Sequence, residues 1–319
     1  PSLRTGLLRL SFRRMGTVDS SHLAREFCLK CAGRSQTLSN PVPLAVAGAG
    51  DLTFVRDAAS SSRTLHGALE RGACVVAGRD AEGYAPLHGT LLFAENPRGV
   101  FAQMLREHFV EPWKPGVADT ADIDAKATIS PTAKVGEFSV IRAGAIVGPG
   151  TEIRDHVVVG RNVKIGAGCL VKSNAVLGEE GFGVEKDSHG LNFPVPQVGA
   201  VIVEDNVVIG ALCTVASGAL EPTRIGANAM LGDHVHVAHN CDVGSNSILT
   251  ARATLAGGVR LGSGVWVGPG AVIRDGLHVG ASAFVGIGAV VVESVASNQV
   301  VAGNPARPFP SKSPEASEG

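Results

Sequence analysis

Most of the second half of the chain carries an aliphatic residue at every sixth position. The spacing runs without a gap from residue 123 to 177, resumes at 203, shifts once more and continues from 225 to 291. Glycine often follows the aliphatic residue directly, and the fourth residue after it is small or β-branched. The aliphatic positions are Ile123, Ile129, Val135, Ile141, Val147, Ile153, Val159, Ile165, Val171, Leu177, Val203, Ile209, Val215, Ile225, Leu231, Val237, Val243, Leu249, Leu255, Leu261, Val267, Ile273, Val279, Val285 and Val291.

A period of six predicts one short strand and one corner in each repeat. The aliphatic side chain fills the interior, the small side chain faces inward between corners, and glycine relieves strain at the bend. Three repeats close one triangular coil, so the pattern predicts about eight coils of a parallel β-helix. Cys169, Cys213 and Cys241 occupy the small inward positions, and we expect them to be unreactive core residues.

The residues before the repeats show a different pattern, which predicts a separate domain. Residues 41–113 are predicted to form a small α/β domain, with strands at "LTFV" and "ACVVAG" and a helix that begins at Asn96 and Pro97. The apolar side of that helix is Val100, Phe101, Met104, Leu105 and Phe109. The repeats define a β-helix over 117–303, and the Pro- and Ser-rich residues 304–319 are predicted to be disordered.

Residues 1–40 are predicted to be a transit-peptide-like or disordered leader. The first eighteen residues contain Arg4, Arg9, Arg13 and Arg14, interleaved with apolar side chains, and no acidic residue precedes Asp19. This pattern is typical of organellar targeting segments. We therefore expect a mitochondrial location, with the cytoplasm as the alternative.

Composition excludes several classes of protein. Lys and Arg number 28 against 29 Asp and Glu, so the basic surface of a nucleic-acid-binding protein is missing. The six cysteines lack the dense spacing of a secreted disulfide framework, and the lone "CLKC" at 28–31 is weak evidence for zinc. No apolar run approaches the length of a membrane span. We expect no nucleic-acid partner and no integral membrane segment.

Chemistry is predicted near two interruptions of the period, at 178–200 and within 214–226. Both shortly precede the stretch "LGDHVHVAHNCDVG", which holds His234, His236 and His239. Because successive coils stack on one another, we expect the interruptions to lie close to these histidines in space. His239 follows the aliphatic Val237 by two positions, just past a corner, where its side chain is expected to point outward.

Four short motifs carry a resemblance to a known family. "GFG" at 181–183, "PQVG" at 196–199, "SGAL" at 217–220 and "VAHN" at 237–240 occur in the order found in the UDP-3-O-acylglucosamine N-acyltransferases of lipid A biosynthesis, and "GDLTFV" at 50–55 resembles their uridine-binding domain. That family belongs to the hexapeptide-repeat acyltransferases, which implies a mainly β fold: a left-handed parallel β-helix with a small N-terminal α/β domain. It also implies a homotrimer, a UDP-sugar acceptor and a thioester of acyl carrier protein or coenzyme A as donor, with no other cofactor.

The resemblance implies roles for individual residues. His239 falls on the family's catalytic base, and a base that titrates near neutral pH suits the removal of a proton from an amine. Gly257 falls on the backbone donor for the oxyanion, where a glycine permits close approach. Phe54, Phe182, Gln197, Asn240 and His236 are expected to contact substrate, and no metal ligand is expected.

Differences from the family keep other functions open. Ala216 and Ser217 replace an Asp-Arg pair, Gly276 replaces a second histidine, and the family's tyrosine is missing after "LTFV". One alternative is therefore a non-catalytic trimeric scaffold. Another is a zinc enzyme like the γ-carbonic anhydrases, because His234 and His239 have the spacing of two of their ligands, although a third histidine is not at the usual distance.

Overall fold

The computed structural model describes residues 17–84, 88–111 and 114–309. It divides the chain into two compact units, Pro1–Pro112 and Trp113–Gly319. The arginine-rich stretch predicted to be a transit peptide lies almost wholly outside the described residues.

The first unit contains a five-stranded mixed sheet among its described residues. Its strands lie in the order Lys30–Gly33, Thr90–Phe93, Cys74–Ala77, Asp51–Phe54 and Asn40–Pro41. The first pairing is antiparallel and the other three are parallel. Lys30–Gly33 therefore belongs to this sheet, so the predicted leader boundary at residue 40 was wrong. Pairing of so short a strand with one about sixty residues later leaves no local sequence signal.

Helices and one further strand pair complete this unit. The helices are Ser20–Glu26, Ser62–Glu70 and Pro97–Met104, with a short 3₁₀ turn at Arg79–Ala81. Val18–Asp19 pairs with Thr37–Leu38. The Asn96 side chain accepts a hydrogen bond from the Gly99 N–H, which confirms the predicted N-terminus of the last helix. That helix widens into a π-helical turn, Leu105–Phe109.

The second unit is a three-sided parallel β-helix. Within residues 114–309, the sides are sheets of nine, eight and eleven strands, named here F1, F2 and F3. F1 consists of Asp122–Ile123, Val140–Ile141, Val158–Val159, Val176–Leu177, Thr214–Val215, His236–Val237, Thr254–Leu255, Val272–Ile273 and Val290–Val291. F2 consists of Thr128–Ile129, Ile146–Val147, Lys164–Ile165, Val201–Val203, Thr223–Ile225, Asp242–Val243, Arg260–Leu261 and His278–Val279. F3 consists of Gly116–Val117, Lys134–Val135, Glu152–Ile153, Leu170–Val171, Val208–Ile209, Met230–Leu231, Ile248–Leu249, Trp266–Val267, Phe284–Val285, Val300–Ala302 and Arg307–Pro308.

The predicted aliphatic positions form the core of this β-helix. Each is the inward residue that ends a strand, and each pairs with its equivalent in a neighbouring coil, as Val215 does with Val237 and Val237 with Leu255. From Val135 onward they are buried. Removing such a run of apolar surface from water stabilises each coil against its neighbours.

The three coil cysteines are buried as predicted. Burial raises the pKa of Cys169, and raises the pKa of Cys213 and of Cys241 to about 11. Each thiol donates to a backbone carbonyl of the following coil, at 3.0–3.1 Å. A thiol that stays protonated near neutral pH is a poor nucleophile, which confirms an unreactive core role.

The two interruptions both leave the β-helix at the F1–F2 corner. The first, from Gly178 to Ala200, contains an antiparallel hairpin of Val184–Lys186 and Asn192–Pro194. The second lies between Thr214–Val215 and Thr223–Ile225. In the next two coils, the same corner is turned by His239–Asn240 and then by Gly257–Gly258.

At its C-terminal end the β-helix extends beyond the predicted boundary at 303. Arg307–Pro308 pairs antiparallel with Val300–Ala302, so residues up to 309 belong to the ordered structure. The remainder of the predicted disordered tail lies outside the described residues. Among the residues that the structure describes, no helix is both long and apolar enough to span a membrane.

Candidate active site at the F1–F2 corner

A cleft of about 500 Å³ lies where the interruptions meet the F1–F2 corner. Its floor is the outward side of F1, where Val176, Thr214, His236 and Thr254 follow one another from coil to coil. Its walls are the start of the first interruption and the corner that carries His239. The full lining is Val176, Glu179, Glu180, Gly181, Phe182, Thr214, Val215, Ala216, His236, Ala238, His239, Thr254, Ala256 and Gly257.

The His239 side chain is held between two glycines. A Cβ atom on Gly257 would lie 2.7 Å from His239 Cε1 and 2.8 Å from Nε2, and one on Gly181 would lie 2.8 Å from His239 Cβ. All three distances are far below ordinary contacts, so neither position accommodates a side chain without moving His239. The imidazole is thus fixed by the next coil on one side and by the first interruption on the other.

Asn240 fixes the tautomer of His239. Its Oδ1 accepts from the backbone N–H of Ala219 at 3.1 Å, and it lies 3.0 Å from His239 Nδ1. Since a backbone N–H is always a donor, Oδ1 must be the amide oxygen, and His239 Nδ1 must carry the proton. Nε2 is therefore left with a free lone pair. Asn240 also adopts the left-handed φ of 58° that this corner needs, a conformation asparagine tolerates better than most residues.

Asn240 also ties the second interruption to this corner. Its Nδ2 donates to the Glu221 carbonyl at 3.4 Å, and its backbone N–H donates to Thr223 Oγ1 at 2.9 Å. The sequence resemblance placed Asn240 among substrate contacts, whereas the structure commits its amide to contacts within the chain.

The Gly257 N–H offers a donor beside the imidazole. Among the hydrogen bonds of the described residues, none has this N–H as its donor. At other corners, the corresponding N–H groups of Glu137, Ala167 and Ala211 donate to an aspartate of the next coil. At Ala143, Ser173 and Ala251 the corresponding N–H also has no partner among the described residues, so the distinctive feature of Gly257 is the His239 ring beside it.

His236 shares the cleft with His239. Its Nδ1 lies 2.6 Å from Thr214 Oγ1 in the preceding coil, and burial lowers the pKa of the imidazole. A lowered pKa keeps the ring neutral at physiological pH.

Two carboxylates that sequence reasoning missed line the same cleft. Glu179 and Glu180 open the first interruption, and they are the acidic groups in a lining that contains no lysine or arginine. The Glu179 carbonyl accepts from the Ser217 N–H at 2.8 Å, which joins the two interruptions. The double acid in "GEEGFG", directly before a matched motif, was the signal available in the sequence.

The other predicted residues occupy different surroundings. Phe182 lines the cleft and is 90% exposed. Gln197 is buried within the first interruption, and its Oε1 has no hydrogen-bond partner among the described residues. Phe54 lies in the first unit, where its ring packs 4.9 Å from that of Phe101. The cleft thus unites His236, His239, Gly257 and Phe182, but not Gln197 or Phe54.

The two histidines of the zinc alternative lie at successive corners. His234 turns the F3–F1 corner with a φ of 61°, while His239 turns the F1–F2 corner. Within the described part of the chain, the group of three or more ligand-bearing side chains found close together contains neither of them. A strand separates the two corners, so this chain does not bring His234 and His239 together as a ligand pair.

Comparison with known proteins defines the class. The family model "Bacterial transferase hexapeptide (six repeats)" matches residues 222–257. The UDP-N-acetylglucosamine O-acyltransferase of Moraxella catarrhalis aligns with a TM-score of 0.56 and 26% identity, over 60% of this chain and 73% of that one. A related structure from Acinetobacter baumannii gives 0.55 and 27% over the same shares. The second unit is a hexapeptide-repeat left-handed parallel β-helix.

Curated relatives of higher sequence identity are N-acyltransferases. The UDP-3-O-acylglucosamine N-acyltransferase of Pseudomonas syringae pv. syringae is 37% identical over 219 residues, or 62% of this chain and 60% of that protein. The enzyme of the same name from Coxiella burnetii is 33% identical over 64% of each chain. The chain is similar to these N-acyltransferases, and it spans less than two thirds of their length.

Proposed function

We propose that the protein is an N-acyltransferase that moves a fatty acyl group from a thioester to the amine of a UDP-linked acylglucosamine. The observation that carries the proposal is the setting of His239. Its ring lies between two glycines, its Nδ1–H donates to Asn240 Oδ1, and its Nε2 is free beside the unpaired N–H of Gly257. The activity for which the relatives are named supports the same chemistry. The proposed donor is acyl carrier protein or a coenzyme A thioester.

The proposed mechanism uses both groups at the corner. The amine attacks the thioester carbonyl carbon, and His239 Nε2 takes a proton from the attacking nitrogen. The carbonyl oxygen becomes an oxyanion, which the Gly257 N–H stabilises by a hydrogen bond. The intermediate collapses to an amide and expels the thiolate, which the imidazolium protonates, so that the base is regenerated.

The carboxylates of Glu179 and Glu180 support an amine acceptor. An amino sugar reaches the site partly as an ammonium ion, and negative side chains attract it. An ammonium has no lone pair, so it must first release one proton to water, and a carboxylate is suited to holding the cation until then. His239 Nε2 takes the second proton during attack.

A homotrimer is part of the proposal, and an apolar stripe on F3 supports it. Met230, Ile248, Trp266 and Phe284 follow one another in register, and the rings of Trp266 and Phe284 stack 6.0 Å apart. Met230, Trp266 and Phe284 are 50%, 37% and 43% exposed. A contiguous exposed apolar surface is typical of a subunit interface. The mitochondrial location remains a proposal from the arginine-rich start of the chain.

The test is turnover of a UDP-3-O-acylglucosamine acceptor with an acyl carrier protein thioester. We expect His239→Ala to lower kcat by about 10²–10⁴-fold, since it removes the general base. Thermal-shift titration with the acceptor should still show binding, because the cleft walls remain. Unchanged turnover by His239→Ala would refute the mechanism, and a wild-type chain that binds neither substrate would favour the scaffold alternative.

A further inference from the structure

Two glutamates and a histidine converge in the first unit, and the proposed acyl transfer uses none of them. A second histidine, His22, contacts one of these glutamates. His22 and Glu26 lie one turn apart on the helix Ser20–Glu26, and Glu107 and His108 lie on the π-helical turn Leu105–Phe109. One ligand atom from each of Glu26, Glu107 and His108 lies within 4.8 Å of the others.

The imidazole nitrogens approach a single carboxylate oxygen. His108 Nε2 lies 2.8 Å from Glu26 Oε2, and His22 Nε2 lies 3.6 Å from the same atom. A tetrahedral zinc ion with bonds of about 2.0–2.1 Å holds its ligand atoms roughly 3.4 Å apart. The separation of His108 Nε2 and Glu26 Oε2 is about 0.6 Å shorter than that value, so an ion would need to part these two atoms slightly.

The surrounding structure packs against the His108 side chain. The His108 side chain is only 20% exposed, and its ring meets those of His22 and Phe27 edge to face, with centroids 6.1 and 6.5 Å away. The π-helical turn is itself a rare conformation that occurs frequently at functional sites. The cation nearest to Glu107 is Arg106, at 3.9 Å in an exposed pair, which is too weak to hold the carboxylate away from an ion.

We propose that Glu26, Glu107 and His108 bind one zinc ion that joins the first helix to the π-helical turn. One imidazole and two carboxylates supply three of the four ligands of a tetrahedral Zn²⁺, and water fills the fourth position. The ion cross-links residues 82 positions apart in the chain. The His108 imidazole must bind the ion through an unprotonated Nε2, so binding weakens as the pH falls.

The experiment measures Zn²⁺ binding to the untagged full-length chain by calorimetry, with the melting temperature recorded at each zinc concentration. We expect one ion per chain and a melting temperature that rises with zinc. His108→Gln and Glu107→Gln should each weaken binding by at least about tenfold, as loss of a ligand or its orienting partner does elsewhere. Both changes keep hydrogen-bonding side chains, and circular dichroism checks that the variants fold.

The chain offers two matched controls. His66 and Glu70 lie one turn apart on the helix Ser62–Glu70, 3.1 Å from each other, but outside the group formed with the π-helical turn. His66→Gln should therefore leave zinc affinity unchanged. Cys28→Ser with Cys31→Ser removes the exposed "CLKC" thiols and should also leave it unchanged. Absence of stoichiometric binding, loss of binding in either control, or equal affinity in His108→Gln and the wild type would each overturn the proposal.

Discussion

Gly257→Ala tests whether the position of the His239 ring limits the reaction. The new methyl group would lie 2.7 Å from His239 Cε1, against about 3.4 Å for the closest ordinary contact, so the ring must move by roughly 0.7 Å. A misplacement near 1 Å costs about 100-fold in rate. We therefore expect kcat to fall about 30- to 100-fold, equivalent to about 2–2.7 kcal/mol in the barrier.

The backbone itself should tolerate this change. Alanine already occupies the same turn position at other corners, at Ala211, Ala227 and Ala251. The ring of His239 is the nearest neighbour that a Cβ at Gly257 meets, so the effect should pass through that side chain. We expect the β-helix to fold normally, with its circular dichroism spectrum unchanged.

The assay compares Gly257→Ala, His239→Ala and the double variant in steady-state acyl transfer. If the methyl group acts by displacing the imidazole, it should have little further effect once that ring is absent, and the two changes will be strongly non-additive. Wild-type turnover by Gly257→Ala would refute the reasoning, as would full additivity of the two substitutions.

Other outcomes follow from Asn240, His236 and the cysteines. Asn240→Ala should lower kcat and alter its pH profile, because His239 loses the acceptor that fixes its tautomer. Burial lowers the pKa of His236, so the folded state resists protonation of this ring. The free energy of unfolding should therefore fall as the pH drops below about 6.5, and His236→Gln should reduce that loss. Melting temperatures from pH 5 to 8 measure both effects. A thiol reagent at pH 8 should modify Cys28 and Cys31 in the folded chain. Cys28 should react faster, because burial raises the pKa of Cys31. Reaction at all six thiols would contradict the buried positions of the other four cysteines.

The sequence by itself determined the β-helix and its core. Each coil packs on the coil before and after it, so the same interior position recurs at a fixed spacing and the period of six is visible without any long-range information. The positions of Val237, Cys241 and Val243 followed from that period alone. Motif order then indicated His239 and Gly257, since the local turn that carries each of them is short and characteristic.

Only the tertiary structure decided which side chains share a site. The pairing of Lys30–Gly33 with Thr90–Phe93, the place of Glu179 and Glu180 in the cleft, and the approach of His108 to Glu26 all join residues that no period relates. The tautomer of His239 depends on an amide whose orientation is set by the Ala219 N–H, on a separate loop. Such contacts form where irregular segments return to a rigid scaffold, and their geometry depends on packing across the fold and not on local preference.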